Sequence, residues 1–252
     1  MSGPQPGDAD VVPDQALNAE AISGACVAKQ EPLAKLVEQS DLRHIAIEGV
    51  IGAGKTTLAN MLGETLGGNV VKEKFEENPF LKDFYRDPER YAFQTQIFFL
   101  LTRYKQQREL FQADLFHRFL ITDYIFEKDK IFAYLNLQDE ELKLYETLVS
   151  SIEHNIPSPD LVVYLQSSVA RLMQNIRQRG RSFEVAMQES YIKDLNEAYN
   201  YFFFRYKNTP LLIVNAAEID FVNNRDQYED LVREMFRPSR AAVEYYNPPV
   251  KR

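Results

Sequence analysis

The chain has 252 residues, a formal net charge of −8 and a single cysteine. That length is ample for a full α/β core, and the acidic balance argues against a nucleic-acid or anionic-membrane surface, because those partners call for a basic patch. One cysteine excludes a disulfide framework, and the sequence shows neither a bilayer-spanning apolar run nor a signal-peptide pattern. We therefore expect a soluble, cytoplasmic protein with no membrane partner.

Composition divides the chain into three parts. Residues 1–40 contain scattered prolines and small polar residues with little to bury, which predicts a disordered leader with one or two helical turns at most, around 33–37. Residues 41–237 are predicted to form one domain. Residues 238–252 are predicted to form a loosely ordered tail.

The domain begins with a short apolar strand at 43–48, followed by the sequence GVIGAGKT. This fits G-x-x-x-x-G-K-[ST], a loop whose backbone N–H groups cradle nucleotide phosphates. A helix predicted at 55–67 points its positive dipole end at those phosphates. Lys55 is expected to reach the β/γ phosphates and Thr56 to bind Mg²⁺. The predicted nucleotide-binding residues here are Gly49, Val50, Ile51, Gly52, Ala53, Gly54, Lys55, Thr56 and Thr57.

Further strands alternate with helices along the rest of the domain. They are predicted at 69–73, 119–123, 161–165 and 211–214, and the first two end in Glu73 and Asp123. The carboxyl edge of a doubly wound sheet is where such folds place their chemistry. Because strands and helices alternate without an internal repeat, we expect one α/β domain with a five-stranded parallel sheet flanked by helices.

The predicted helices differ in character. They lie at 78–86, 88–113, 138–154, before Arg179, at 184–206 and at 226–236. Helix 88–113 is apolar almost all round, which is typical of a buried or subunit-interface helix. Within it, Gln96 and Arg103 are seven residues apart and therefore share one face.

Taken together, these segments resemble the deoxynucleoside kinases, a family of P-loop kinases, over about 43–236. The asparagine–proline segment and the aspartate that ends the third strand are most similar to the bacterial deoxyadenosine/deoxyguanosine branch. The matching pieces are residues 47–56, Glu73, 78–81, Tyr85, 87–91, Gln96, Arg103, Asp123, Asp129, 179–181 and Glu184. The resemblance implies a P-loop kinase that transfers the γ-phosphoryl group of ATP to the 5′-OH of a deoxynucleoside for nucleotide salvage.

The resemblance also assigns roles to the reacting groups. Glu73 is expected to be the general base that takes the proton of the 5′-OH, which suits a carboxylate beside bound phosphates. Asp123 is expected to hold Mg²⁺ through water, next to Thr56. Three basic residues form a predicted lid over the transferring phosphoryl group: Arg177, Arg179 and Arg181. Glu73, Lys55 and Arg181 make up the expected catalytic set.

A second set is expected to bind the deoxynucleoside. By resemblance, Tyr85 and Glu184 hold the 3′-OH, and Tyr85 crowds the 2′ position, so that deoxyribose is preferred. Gln96 is expected to bind the base edge through its paired donor and acceptor. Arg103 and Asp129 are expected to contact the far side of the base. Because thymidine-preferring relatives tend to replace this pair, its presence favours a purine deoxynucleoside or deoxycytidine.

One departure from the family pattern concerns the residues after the third strand. The family usually has an arginine and a serine where this chain has Tyr124 and Ile125. Losing a charge that stabilises a transferring phosphoryl group costs on the order of 10³-fold in rate. The hypothesis is that Lys72, Lys74 or Lys128 substitutes for it. Further along, a position that commonly carries an additional lid arginine holds an asparagine at 175.

Two alternatives stay open at this point. Tyr124 is also compatible with a nucleotide-binding pseudokinase, and a P-loop kinase of another small molecule, such as a nucleoside monophosphate, is the second alternative. Retention of Glu73 favours catalysis, because a simple binder has no use for a base there. The long helices at 88–113 and 138–154 suggest a homodimer through a helix bundle, as the family commonly forms.

Overall fold

A six-stranded sheet in the order β2-β3-β1-β4-β5-β6 forms the centre of the structure, and every neighbouring pair is parallel. The computed structural model describes residues 32–113 and 117–248, which belong to the compact unit Leu33–Arg252 apart from residue 32. The strands are β1 (His44–Gly49), β2 (Asn69–Val71), β3 (Leu120–Thr122), β4 (Leu161–Gln166), β5 (Leu211–Asn215) and β6 (Val243–Tyr246).

Helices cover the sheet. They are α1 (Leu33–Gln39), α2 (Lys55–Leu66), α3 (Leu81–Phe84), α4 (Pro88–Ala113), α5 (Lys128–Asn136), α6 (Asp139–Ile152), α7 (Val169–Arg179), α8 (Glu189–Arg205) and α9 (Arg225–Met235). Short 3₁₀ turns lie at Phe75–Glu77, Glu153–Asn155 and Ser182–Glu184. Among the helices of the described ranges, none combines the length and the apolar character that crossing a membrane requires.

The central strands are buried on both faces, as expected for a parallel sheet covered by helices. All six residues of β1 are buried, and so are five of the six in β4. A second apolar cluster, separate from the sheet core, includes Leu100, Phe126, Tyr145 and Val149, which come from the α4–α6 region. The α/β prediction is confirmed, and the pocket described below is lined by residues from both clusters.

The sheet has six strands, so the prediction of five is wrong. The additional strand, β6, lies within 238–252, where a loosely ordered tail was expected, and it pairs with β5. Its half-exposed pattern is typical of a sheet edge and carries a weak sequence signal. Arg237 and Arg240 both form ion pairs with Glu244, and Arg240 also donates to the carbonyl oxygens of Glu234 and Met235, so the strand is tied to the end of α9.

Several helix boundaries also differ from the expected ones. Helix α5 was not predicted, although it carries Lys128 and Asp129. The predicted helix at 184–206 is a 3₁₀ turn followed by α8, whereas α4 has the predicted bounds, 88–113. Helix α1 agrees with the expected turns around 33–37. The rest of the predicted leader, residues 1–31, lies outside the described residues.

Candidate active site

The phosphate loop joins the end of β1 to the start of α2. Gly52 and Gly54 have φ values of 87° and 97°, which residues with a Cβ rarely adopt. A Cβ on Gly52 would also lie 2.8 Å from the Leu172 carbonyl oxygen. Asn175 of α7 donates from Nδ2 to the Gly52 carbonyl oxygen at 2.9 Å. The asparagine at the position of a missing lid arginine therefore holds the loop.

The side chain of Lys55 points back toward the loop that precedes it. Its Nζ donates to the carbonyl oxygens of Gly49 at 2.7 Å and Val50 at 3.2 Å. Burial, together with the nearby charge of Lys128, lowers the pKa of Lys55 to about 8. A bound anion would favour the charged form of this lysine.

Two hard oxygens meet where the loop approaches β3. Thr56 Oγ1 donates to Asp123 Oδ2 at 2.5 Å, and Asp123 Oδ1 accepts from the backbone N–H of Glu73 at 2.7 Å. In the described part of the chain, no group of three His, Cys, Asp or Glu residues is placed to ligate a metal. The pair fits Mg²⁺, which commonly takes few protein ligands and completes its shell with phosphate and water oxygens.

Glu73 lies between two cations. Its Oε1 accepts from Arg103 Nε at 2.8 Å and lies 2.6 Å from Nη2 of the same guanidinium, and its Oε2 accepts from Lys128 Nζ at 2.9 Å. Burial alone would raise the pKa of Glu73, but the charges of Lys128 and Arg103 outweigh burial and hold that pKa well below its usual range. Glu73 is therefore an ionised hydrogen-bond acceptor next to the phosphate loop.

Gln96 and Arg103 line the pocket, and both contact Asp129, which is buried and is not itself a lining residue. Gln96 Nε2 donates to the Asp129 carbonyl oxygen at 2.9 Å and to Asp129 Oδ2 at 2.8 Å, while Arg103 Nη1 is paired with Oδ1. Asp129 is fully buried, so these contacts compensate the cost of its charge. The structure brings together the three residues that the sequence assigns to the base.

The predicted lid residues are not equivalent. Arg179 makes a bidentate pair with Glu184, at 2.6 and 3.1 Å, and Arg181 lies 3.7 Å from the same carboxylate. Both arginines line the pocket. The side chain of Arg177 is 71% exposed and faces Glu189 at 3.9 Å. Arg177 is thus not among the residues that line the site.

Tyr85 and Glu184 both line the pocket. The Tyr85 ring stacks on Phe183 with a centroid distance of 6.4 Å and an interplanar angle of 9°. Burial raises the pKa of Tyr85 well above its ordinary value, which keeps the hydroxyl protonated. The pair presents a neutral hydroxyl and a carboxylate, which suit hydrogen bonding to a sugar hydroxyl.

The structure separates the three lysine candidates. Lys72 and Lys74 are exposed, and Lys74 lies 3.7 Å from Glu77. Lys128 is buried and contacts Glu73 directly. Sequence distance alone could not make this choice, because Lys128 reaches Glu73 only through the fold.

Two further residues at the site were missed. Glu48 is fully buried in β1 and accepts from the N–H groups of Gly49 and Ile125 at 3.0 Å each. An acidic residue inside an apolar strand was the available signal for it. Phe221, in the loop after β5, approaches the phosphate loop so closely that a Cβ on Gly54 would lie 3.3 Å from its ring. No motif marks Phe221 in the sequence.

The family model "Deoxynucleoside kinase" matches residues 45–238. The chain belongs to the deoxynucleoside kinase family.

Named relatives and solved structures agree with this assignment. The chain is 35% identical over 192 residues to deoxyguanosine kinase of Bacillus subtilis, a match that covers 73% of this chain and 92% of the relative. It is 34% identical over 215 residues to deoxyadenosine kinase of Dictyostelium discoideum, covering 82% and 84%. A solved structure of deoxyadenosine kinase from M. mycoides with bound dATP superposes with a TM-score of 0.68 at 29% identity, covering 77% of this chain and 98% of that one.

The protein is therefore an ATP-dependent kinase that phosphorylates deoxynucleosides for salvage. The expected activity and family are confirmed. The pseudokinase alternative is not supported, because the similar proteins are named as kinases.

Proposed function

We propose that the preferred acceptor is a purine deoxynucleoside and that Glu73 is the base for its 5′-OH. The observation that carries this proposal is the position of Glu73, an ionised carboxylate between the phosphate loop and the cluster of Gln96, Arg103 and Asp129. A deoxynucleoside held between the phosphate loop and this polar cluster would place its base at the cluster and its 5′-OH at Glu73. The names of the relatives, deoxyguanosine and deoxyadenosine kinase, support a purine.

In the proposed reaction, the 5′ oxygen attacks the γ-phosphorus of ATP while Glu73 accepts the hydroxyl proton. The bond from the γ-phosphorus to the bridging oxygen breaks, and ADP leaves with the electron pair. Arg181 and Lys55 stabilise the charge that develops on the phosphoryl oxygens. Tyr85 and Glu184 orient the sugar through its 3′-OH.

Thr56 and Asp123 are the proposed Mg²⁺ ligands. Their oxygens already lie within 2.5 Å of each other at the end of the phosphate loop. When bound there, the ion would neutralise phosphate charge. The protein's own part is to hold the two oxygens at this edge of the sheet.

The proposed assembly is a homodimer. Helices α4, α5 and α6 contact one another and leave large apolar side chains exposed: Leu101 at 54%, Tyr134 at 60%, Leu144 at 50% and Leu148 at 37%. Large apolar side chains exposed on neighbouring helices are typical of an interface. Sedimentation equilibrium tests the proposal, and a monomer at micromolar concentration would contradict it.

The remaining partner predictions rest on composition. The net charge of −8 supports a protein that does not bind nucleic acid, and the single cysteine supports a cytoplasmic location. Electrophoretic mobility shifts with DNA and RNA, and cell fractionation, test the two in turn.

The activity test measures ADP release from Mg-ATP with each of the four deoxynucleosides in turn. Saturable turnover is expected on deoxyguanosine or deoxyadenosine, and the isosteric Glu73→Gln variant should lose it while still binding ATP. A preference for thymidine or deoxycytidine would overturn the purine proposal. Absence of turnover on all four substrates, with ATP binding intact, would overturn the kinase mechanism.

A further inference from the structure

Lys128 is a buried cation at the first turn of α5. Only 4% of its side chain is exposed, and its Nζ lies 2.9 Å from Glu73 Oε2 and 3.7 Å from Glu48 Oε1. It lines the same pocket as Lys55, Thr56 and Asp123. A lysine that served only to neutralise buried acids would not need to face that pocket.

The other cations that line the pocket in the described ranges have different surroundings. Arg103 is shared between Glu73 and Asp129, and Arg179 and Arg181 are held at Glu184. Lys55 belongs to the phosphate loop. Among these cations, Lys128 contacts Glu73, the proposed base, and contacts neither Asp129 nor Glu184.

The residue that follows Asp123 does not supply a charge. Tyr124 is fully buried and lines a different cavity, together with His44 and Gln107. The reacting oxygens nevertheless need a positive group on the acceptor side, because the transferring phosphoryl group carries negative charge throughout. Lys128 is the residue placed to provide it.

We propose that Lys128 is a catalytic residue that contacts the 5′ oxygen and the transferring phosphoryl group, and that Glu48 is the residue that positions it. This rests on the proposed function, in which Glu73 takes the 5′-OH proton. As the oxygen–phosphorus bond forms and the bond to the ADP oxygen breaks, the ammonium group of Lys128 stabilises the phosphoryl oxygens and keeps its own proton.

Glu48 gives Lys128 a second anchor that does not take part in the reaction. Its carboxylate is fixed by two backbone N–H groups and by the Tyr199 hydroxyl at 3.1 Å. When the Glu73 carboxylate accepts the hydrogen bond of the 5′-OH, Glu48 still lies next to the ammonium group of Lys128. The ammonium group is therefore held in place throughout the transfer.

The test measures single-turnover phosphoryl transfer by rapid quench at saturating ATP and deoxynucleoside, with binding of each substrate measured separately. Lys128→Met and Lys128→Gln are expected to slow transfer by on the order of 10²-fold to 10³-fold, with both dissociation constants changed by less than about fivefold. Lys128→Arg should retain most of the rate, and ethylammonium should restore part of it to Lys128→Ala. Lys74→Met, an exposed lysine from the same list of candidates, is the matched control and should transfer at the wild-type rate.

Glu48→Gln distinguishes positioning from a general effect on folding. It should slow transfer about tenfold, and the double variant with Lys128→Met should be no slower than Lys128→Met alone, because both changes act through one ammonium group. Independent, multiplying effects would overturn the positioning role.

The wild-type enzyme is measured first in the same assay. If it transfers no phosphoryl group, the proposed function fails and this proposal fails with it. If it is active and Lys128→Met or Lys128→Gln transfers at a rate within threefold of wild type, the role of Lys128 alone is overturned. The role of Lys128 is also overturned if the slower transfer of these variants is matched by weaker substrate binding, and if neither the Lys128→Arg change nor ethylammonium restores the rate.

Discussion

The phosphate loop takes its residues from one stretch, 49–56, whereas the proposed acceptor pocket takes Glu73, Gln96, Arg103 and Lys128 from three segments that are far apart in the sequence. The loop depends on backbone geometry: positive φ values, close approaches and a carbonyl held by Asn175. The acceptor pocket depends on buried charges that pair only after folding. A donor site can therefore be lost by adding one methyl group, and the acceptor site by removing one charge.

The largest expected effect is on the acceptor side. Arg103→Met leaves Asp129 fully buried with Gln96 as its remaining side-chain donor, and should lower the free energy of unfolding by about 3 kcal/mol. Urea denaturation measures this loss. The double variant Arg103→Met/Asp129→Asn should recover part of it, because no buried charge is then left uncompensated. If the double variant recovers no stability, the packing of the Arg103 side chain, rather than its charge pairing with Asp129, stabilises the acceptor side.

On the donor side, Gly52→Ala should weaken ATP binding by on the order of 10²-fold. The added Cβ would meet the Leu172 carbonyl oxygen at 2.8 Å in a left-handed backbone conformation. Calorimetric titration with ATP measures the change. Gly67→Ala is the matched control, since Gly67 is also left-handed (φ 58°) but a Cβ there has no neighbour within 4 Å. Equal losses of ATP binding in the two variants would contradict a local effect.

His44 is a buried ionisable group outside the site that sharpens the comparison. Burial determines the direction of its pKa shift, whereas neighbouring charges determine that of Glu73. Burial lowers the pKa of His44 to about 4, and a weaker attraction from Asp160 does not prevent this. The unfolded chain takes up a proton below about pH 6.5 while the native state does not, so about 2 kcal/mol of stability should be lost between pH 7 and 5. Urea midpoints across this range measure it. His44→Gln should flatten the dependence, and an unchanged slope would contradict the assignment to His44.

The smallest expected effect is on the loop's support. Asn175→Ala removes one hydrogen bond to the Gly52 carbonyl oxygen, a contribution of about 1 kcal/mol, and should raise the KM for ATP about fivefold. The KM for the deoxynucleoside should stay unchanged. Steady-state kinetics with each substrate varied in turn checks both values. An equal rise in both would show that the donor and acceptor halves are coupled through α7.

This difference also explains what could be predicted from the sequence. The phosphate loop and α4 were predicted with nearly the observed bounds, because a local motif and an apolar run determine them. Helix α5 was missed. Its first residue, Lys128, has its partners far away in the sequence, at Glu48 and Glu73. A contact that spans about 80 positions leaves no periodic trace in the sequence.

The substrate-binding roles of Gln96, Arg103 and Asp129 were predicted from resemblance and stay predictions, and the structure adds how the three side chains are held together. The sequence paired Arg103 with Asp129, but nothing in it indicated that Arg103 would also contact Glu73. Arg177 shows the converse, since its place in a basic run suggested a site residue and its side chain faces solvent. Sequence position predicted a lid, which stays a prediction, and the side-chain directions of its arginines had to come from the fold.

Strand β6 has a practical consequence for anyone who shortens this chain. The family match ends at residue 238, so a fragment cut to that boundary would lose β6 and the contacts of Arg240 with the last carbonyl oxygens of α9. The edge of β5 would then present unpaired N–H and C=O groups along an apolar run, which is a template for intermolecular strand pairing. The last strand thus protects the fold against aggregation.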